Sequence, residues 1–331
     1  MDERRQLKSL DQNALEMLDG ALDKVIEGTD SRIRAVPGYK RKLYKSILKS
    51  LEYADSIVEQ IPHAIDLTPK HFVTDPYIRA LFPTLGGLKK IFKQSSELHD
   101  YFSESEHINN SESCVLLCMR KEEQTILGME LNGEQVRKDV QQTRVMFSNH
   151  RVYSPAESET NARQELKCCI FEGLVNNALD KISELRARRH QLELEQQRLN
   201  ARLRQHSRGP MHGDDMQNIA SDGVKLRNKA LELERVEEEL HAMGYISPEI
   251  SLDLVNDILS EPEQFVHFKR ISISLDKEGI KRVKDEPSRS VSQLEFSEVQ
   301  IKGQPPRVVT LANINRDELE KPESISYDTI L

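Results

Sequence analysis

The sequence predicts an α+β protein: an N-terminal helical subdomain, then a small antiparallel β sheet or barrel interrupted by a long antiparallel coiled-coil helical hairpin. Three observations carry this. Residues 154–243 keep a seven-residue apolar spacing on two segments separated by Arg208-Gly209-Pro210. Short apolar runs typical of strands occur on both sides of that stretch. Residues 1–105 show the periodicity of helices. The implied units are 1–105 (helical), 113–153 with 248–314 (β), 154–243 (inserted arm) and 315–331 (mobile tail).

In chain order, Leu7, Leu10, Ala14, Leu18, Ala21 and Val25 form one apolar helical face that ends at Gly28. A second helix opens near Pro37 and turns Ile47, Leu51, Ala54, Val58 and Ile61 inward. Its other side is basic, with Lys42, Lys45 and Lys49 in line and Arg32, Arg34 and Arg41 before them. Shorter helices start at Asp75-Pro76 and near Gly86-Gly87, the latter burying Leu88, Ile91 or Phe92, and Leu98. Lys89, Lys90 and Lys93 add a second basic cluster, and the Ser, Glu and Asn of Ser103–Glu112 read as a linker.

The pattern changes at Cys114. Residues 114–119 form a continuous apolar run, Thr125–Leu131 follows, and Asn132-Gly133 is the strongest short hairpin signal in the chain. Arg144–Tyr153 is a further strand. Beyond the arm, a helix capped at Ser247-Pro248 runs to about Ser260, and strands return at Phe265–Leu275, Leu294–Ile301 and Val308–Ile314. One sheet uses both sets most simply; two small sheets are the alternative.

The arm opens with Ser154-Pro155-Ala156-Glu157, a capping box with proline at the first helical position. Cys168, Val175, Ile182, Arg189, Gln196 and Leu203 take position a; Phe171, Ala178, Leu185, Leu192 and Leu199 take d. On the return Ile219, Leu226, Leu233 and Leu240 take d, with Gly223, Ala230 and Glu237 at a and Gly244 closing the helix. At about 1.5 Å per residue the helices would reach roughly 75 and 40 Å. From Leu166 to Leu179 the first helix is apolar nearly all round and reads as core, whereas beyond Ser183 it keeps only a seam. With the turn near Met211, Arg189 and Glu237 are expected to pair across that seam.

Composition narrows the function classes. A net charge of −8 over 331 residues argues against a surface built throughout for nucleic acid or anionic membrane. Hydrophobic residues make up 37% and charged residues 31%, an excess that a solvated stalk would explain. No run is long enough to span a bilayer, the N-terminus leads into no signal-like segment, and Cys114, Cys118, Cys168 and Cys169 form no secreted framework. Cytoplasmic residence is the expectation.

Chemical motifs are weak. His99, Asp100, Glu104, Glu106 and His107 are metal-ligand types, but their spacing does not put two ligands one turn apart, so a solvated acidic linker is the better reading. His212, Asp214 and Asp215 suit a helix cap at the turn. The cysteines read as small buried hydrophobes, and no phosphate-binding or nucleophile-elbow motif occurs. No catalytic residue, cofactor or metal is therefore assigned. The interaction candidates are Arg198, Arg202, Arg204 and Arg208 at the arm tip, faced by Lys225, Arg227 and Lys229. To these are added Leu231 and Val236 outside the seam, and Lys42, Lys45 and Lys49.

The function these features favour is a non-enzymatic interaction or scaffold protein whose arm engages a protein partner or a second copy. A nucleic-acid or ribonucleoprotein factor using the basic residues comes next, and an enzyme with a dispersed site third. Glutamates throughout the arm, and its lack of stacking aromatics, weigh against the nucleic-acid reading.

Overall fold

The computed structural model describes residues 12–104, 107, 110–132, 135–208, 216–282 and 291–316. The Asn132-Gly133 turn, the arm turn with Gly209, Met211, His212, Asp214 and Asp215, Glu106, and the tail from 317 onward fall wholly or partly outside them. The protein is α+β, as expected. It divides into two compact units, Met1–Lys49 with Leu174–Glu261, and Ser50–Gly173 with Pro262–Leu331. The boundaries after Lys49 and Gly173 fall within helices and the one after Glu261 lies between a helix ending at Ser260 and the 3-10 turn from Pro262, rather than at the composition shifts near 105, 153 and 248.

The second unit holds the sheet. Its strands are β1 (Ile65–Asp66), β2 (Glu112–Asn132), β3 (Gln135–Ala156), β4 (Val266–Leu275), β5 (Ser292–Ile301) and β6 (Arg307–Asn315). They form one sheet in the order β3-β2-β6-β5-β4, antiparallel except that β1 pairs parallel to β6. One sheet thus contains both sequence-distant strand sets, because β6 pairs with β2 from Glu112 to Met119. The two separate runs expected at 114–119 and 125–131 are a single strand with three register shifts. Beyond Met119 it continues beside β3, whose Thr143–Val145 also bond residues 279–281, as a ribbon on which Leu127 and Met129 are exposed. At Gly128 a Cβ would meet the Gln142 side chain at 2.2 Å, so only glycine lets that amide lie across the ribbon and donate to the Met129 carbonyl at 3.1 Å.

The basic pattern of short helices is also found here, as Pro69–Thr74, Pro76–Leu81, Leu85–Lys93 and Ser96–Ser103. Asp75 and Thr84 cap two of them, accepting from the Tyr77 and Gly87 amides. Their Ile78, Leu81, Phe82, Leu88 and Phe92 join Val115, Leu117, Phe147 and Phe296 of the sheet in one core.

The helix expected at Ser154 begins later, at Glu159. Cys114 pairs with Ala156, whose carbonyl also accepts from the Ser113 hydroxyl at 3.2 Å, so β3 keeps the proposed capping box in the ladder. Ser158 caps instead, accepting from the Asn161 amide. We number the longer helices α1 (Gln12–Gly28), α2 (Tyr39–Gln60), α3 (Glu159–Arg208), α4 (Met216–Met243) and α5 (Pro248–Ser260).

Within the second unit, Arg163 in the first turns of α3 closes the end of α2. Its guanidinium donates to the carbonyls of Val58 (2.7 Å), Ile61 (3.0 Å) and Pro62 (3.0 Å), and Nε donates to Glu159 at 2.8 Å. These are carbonyls that a helix terminus leaves without partners. Arg163→Met keeps the stem but removes the donors. It is expected to cost about 2 kcal/mol, read as a lower urea midpoint at unchanged slope.

The first unit is helical. Leu22, Val25 and Ile26 of α1, Leu43 and Ile47 of α2, Leu174, Ala178 and Ile182 of α3, and Val255 and Leu259 of α5 are buried. Gly28 ends α1 where a Cβ would stand 2.8 Å from Val175 Cγ1. Further along α3, Leu192 and Leu199 pack with Val236, and Leu233, Leu240 and Met243 of α4 join them. Arg188 pairs with Glu239 and Gln196 donates to Glu237 at 3.1 Å, so α4 runs back along α3 over this stretch. Gly244 ends α4 at φ 62°, and its amide donates to Leu240.

The returning seam differs from the expected one at Ala230 and Glu237. Val236 is turned in, while Ala230 and Glu237 are exposed. Positions three and four beyond a seam residue flank it almost equally, and burial selects the apolar one. The pairing of Arg189 with Glu237 is therefore replaced. Arg189 bonds Glu193 at 2.8 Å and donates to the Gly244 carbonyl.

Candidate interaction surface

The strongest electrostatic feature of the first unit is a node that the sequence pattern did not single out. Asp30 follows α1 and caps the 3-10 turn Ser31–Ala35, with 4% of its side chain exposed. Arg32 grips it with two donors, Nε to Oδ1 at 3.0 Å and Nη2 to Oδ2 at 2.9 Å. Arg186 of α3 donates to Oδ2, and Ser251 of α5 donates to the same oxygen at 2.8 Å. The Arg32 guanidinium, ahead of the Ser251 hydroxyl and the Arg186 charge, holds the carboxyl well below the usual carboxylate range, although burial pushes the other way. Tyr245 stands beside the node, accepting from Arg32 at 3.4 Å, with the Arg189 guanidinium 5.9 Å from its ring centre. Every strong donor converges on a carboxylate already saturated, so the node acts as a clasp between α3, α5 and the 3-10 turn. The only sequence signal for it was an aspartate just beyond a helix-ending glycine, which is common at turns.

The basic helix face is engaged within its own unit. Lys42 pairs with Asp253, Lys49 donates to the Ser260 carbonyl at 2.5 Å, and Lys45 also has a partner. Lys42 and Lys49 of the surface expected on α2 are therefore contacts to α5. Of the arm candidates, Arg198, Arg202, Arg204, Lys225 and Arg227 are exposed and Lys229 is half-buried, while the Arg208 side chain lies outside the described residues. Arg204, Lys225 and Lys229 have interactions of their own. Leu231 is 48% exposed, as expected of a contact residue, but Val236 is 7% exposed and belongs to the seam. Leu194 and Val224 were missed. They are 38% and 60% exposed, and both sit opposite the seam on their helices, a signal that the seam register itself would have revealed.

Among its described residues, the acidic segment near residue 100 does not assemble a metal site. His99 bonds the Lys93 carbonyl, whereas His107 stacks on Tyr101 with ring centres 4.2 Å apart and faces Glu157 at 3.3 Å. No cluster of three or more metal-ligand side chains occurs among the described residues. The Cys114 and Cys118 thiols are unsuited to nucleophilic work. Burial pushes Cys114 up to about 11, and burial together with the neighbouring Cys169 pushes Cys118 up to about 12. Among the described residues no helix is long and apolar enough to cross a membrane. No family model, curated protein or solved structure matches this chain, so its reading rests on its own residues.

Proposed function

We propose that this is a non-enzymatic interaction or scaffold protein of the cytoplasm, and that α3 beyond Ser183 together with α4 forms a coiled-coil arm that engages a protein partner or a second copy. One observation carries the reading. Leu194, Val224 and Leu231 are exposed on the sides of α3 and α4 that face away from their shared seam, where packing between the two helices does not account for them. The cytoplasmic placement rests on four thiols that form no disulfide framework.

A second reading draws on Arg198, Arg202 and Arg227. They are exposed and have no ion pair among the described residues, the state in which arginines dock a phosphate backbone.

Affinity recovery from lysate with the intact chain, with Leu194→Glu and with Leu231→Glu, each with and without nuclease, tests both readings. The expected result is a protein recovered by the intact chain, lost with the glutamate variants and insensitive to nuclease. Recovery unchanged by the variants would count against the arm. Recovery abolished by nuclease would move the assignment to nucleic acid.

A further inference from the structure

We infer that the surface around Tyr245 binds a nucleoside monophosphate, with the phosphate on Arg32 and Arg186 and the base stacked on the Tyr245 ring. The site lies within the first unit and is independent of the arm reading proposed above. Three guanidinium groups gather there. Arg32 and Arg186 share the Asp30 carboxylate, and Arg189, one turn beyond Arg186 on α3, holds Glu193. Three positive charges are thus paired with two carboxylates among the described residues, and one is left without a counter-charge.

The carboxylate of the clasp is saturated, but its arginines are not. Arg186 uses one donor among the described residues, the Nη2 bond to Asp30, and 41% of its side chain is exposed. Arg32 spends Nε and Nη2 on Asp30 and one Nη1 donor on the Tyr245 hydroxyl, with 43% of its side chain exposed. Both arginines bond the same oxygen, so their guanidinium groups are neighbours with further N–H donors in reach of solvent. Planar forks side by side suit a phosphate, whose oxygens accept charge-assisted bonds from each.

Tyr245 says what carries the phosphate. It follows the glycine that ends α4 and is 66% exposed, yet Arg32 bonds its hydroxyl and Arg189 lies over its ring. A ring fixed at its edge and on one face while most of it stays in water contributes little packing. It is ordered before a ligand arrives, which lowers the cost of binding. Every base has a π-face that such a ring can stack. One ring takes one base, and residues 183–243 contain no Phe, Tyr or Trp, so a mononucleotide fits this surface better than a strand.

Isothermal titration calorimetry of the full chain with AMP, with phenyl phosphate as a stand-in for phosphotyrosine and with inorganic phosphate, at low and high salt, tests this. AMP is expected to bind more tightly than the other two and to weaken as salt rises. Tyr245→Ala should weaken AMP about tenfold and leave inorganic phosphate unchanged, whereas Tyr245→Phe keeps the stack and should stay close to the parent. Arg186→Met should weaken AMP and inorganic phosphate alike, about tenfold.

Tyr245 is exposed, so its variants keep the fold and their results stand whatever Arg186→Met does to the clasp. No binding of AMP, AMP no tighter than phenyl phosphate or inorganic phosphate, or Tyr245→Ala binding AMP like the parent would overturn the site.

Discussion

Asp30→Ala will lower the stability of the first unit by about 3 kcal/mol. The carboxylate is buried and is shared by Arg32, Arg186 and Ser251, so its removal leaves two guanidinium groups facing each other across an apolar gap. Breaking a buried pair from one side costs about 3–5 kcal/mol, because the remaining charge has lost both water and partner. Here the arginine side chains are 43% and 41% exposed and recover some hydration, which puts the expectation at the lower end. Urea unfolding of the full chain, followed by hydrogen exchange in α3 and α5, would measure it. A cost below about 1 kcal/mol would show that the clasp is an ordinary surface ion pair.

The same carboxyl has a pH signature. Folding lowers its pKa beneath the ordinary 3.8, so its contribution is complete above that value and is lost as pH falls toward the folded one. The stability of the parent should therefore decline below about pH 4 more steeply than that of Asp30→Asn. Asparagine keeps the size and one acceptor but has no proton to take up. Parallel acid limbs for the two proteins would remove Asp30 from the account of acid sensitivity.

Phe296→Ala is expected to cost about 4 kcal/mol in the second unit. Phe296 on β5 is 1% exposed, and its ring lies 5.0 Å from Tyr77 and 4.9 Å from Phe147, so it joins the short helices to both halves of the sheet. Truncation removes one of the largest fully buried side chains of the protein, and the surrounding strands are held by ladders that limit collapse into the space. Phe296→Leu keeps most of the volume and should lose less than half as much. The readout is hydrogen exchange in β5 and β6 together with the urea midpoint. Equal effects of leucine and alanine would mean that ring packing, rather than volume, dominates.

How much was legible in the sequence follows from the range of each interaction. The start of α5 at Ser247-Pro248, the Leu18 and Val25 part of the apolar face of α1 and the strands β4, β5 and β6 depend on neighbours a few residues apart, and they appear where the pattern puts them, while Leu7 and Leu10 lie outside the described residues. The seam leucines Leu192, Leu199, Leu233 and Leu240 were legible for the same reason. Ser154-Pro155-Ala156-Glu157 failed because a sound local cap competed with a strand ladder to residues some forty positions away, and the ladder won.

The sequence by itself determined the long helices and the strands β4, β5 and β6, because backbone propensity and the 3.6- and 2-residue periods act locally. Only the tertiary structure decided the rest. It placed both strand sets in one sheet, chose Val236 over Glu237 for the seam, and turned Lys42 and Lys49 from a free basic face into contacts with α5. It also brought Asp30, Arg186 and Ser251 together from positions 30, 186 and 251. Pairings across such separations are set by which groups lose their water together, and that is a property of the folded packing rather than of any stretch of chain.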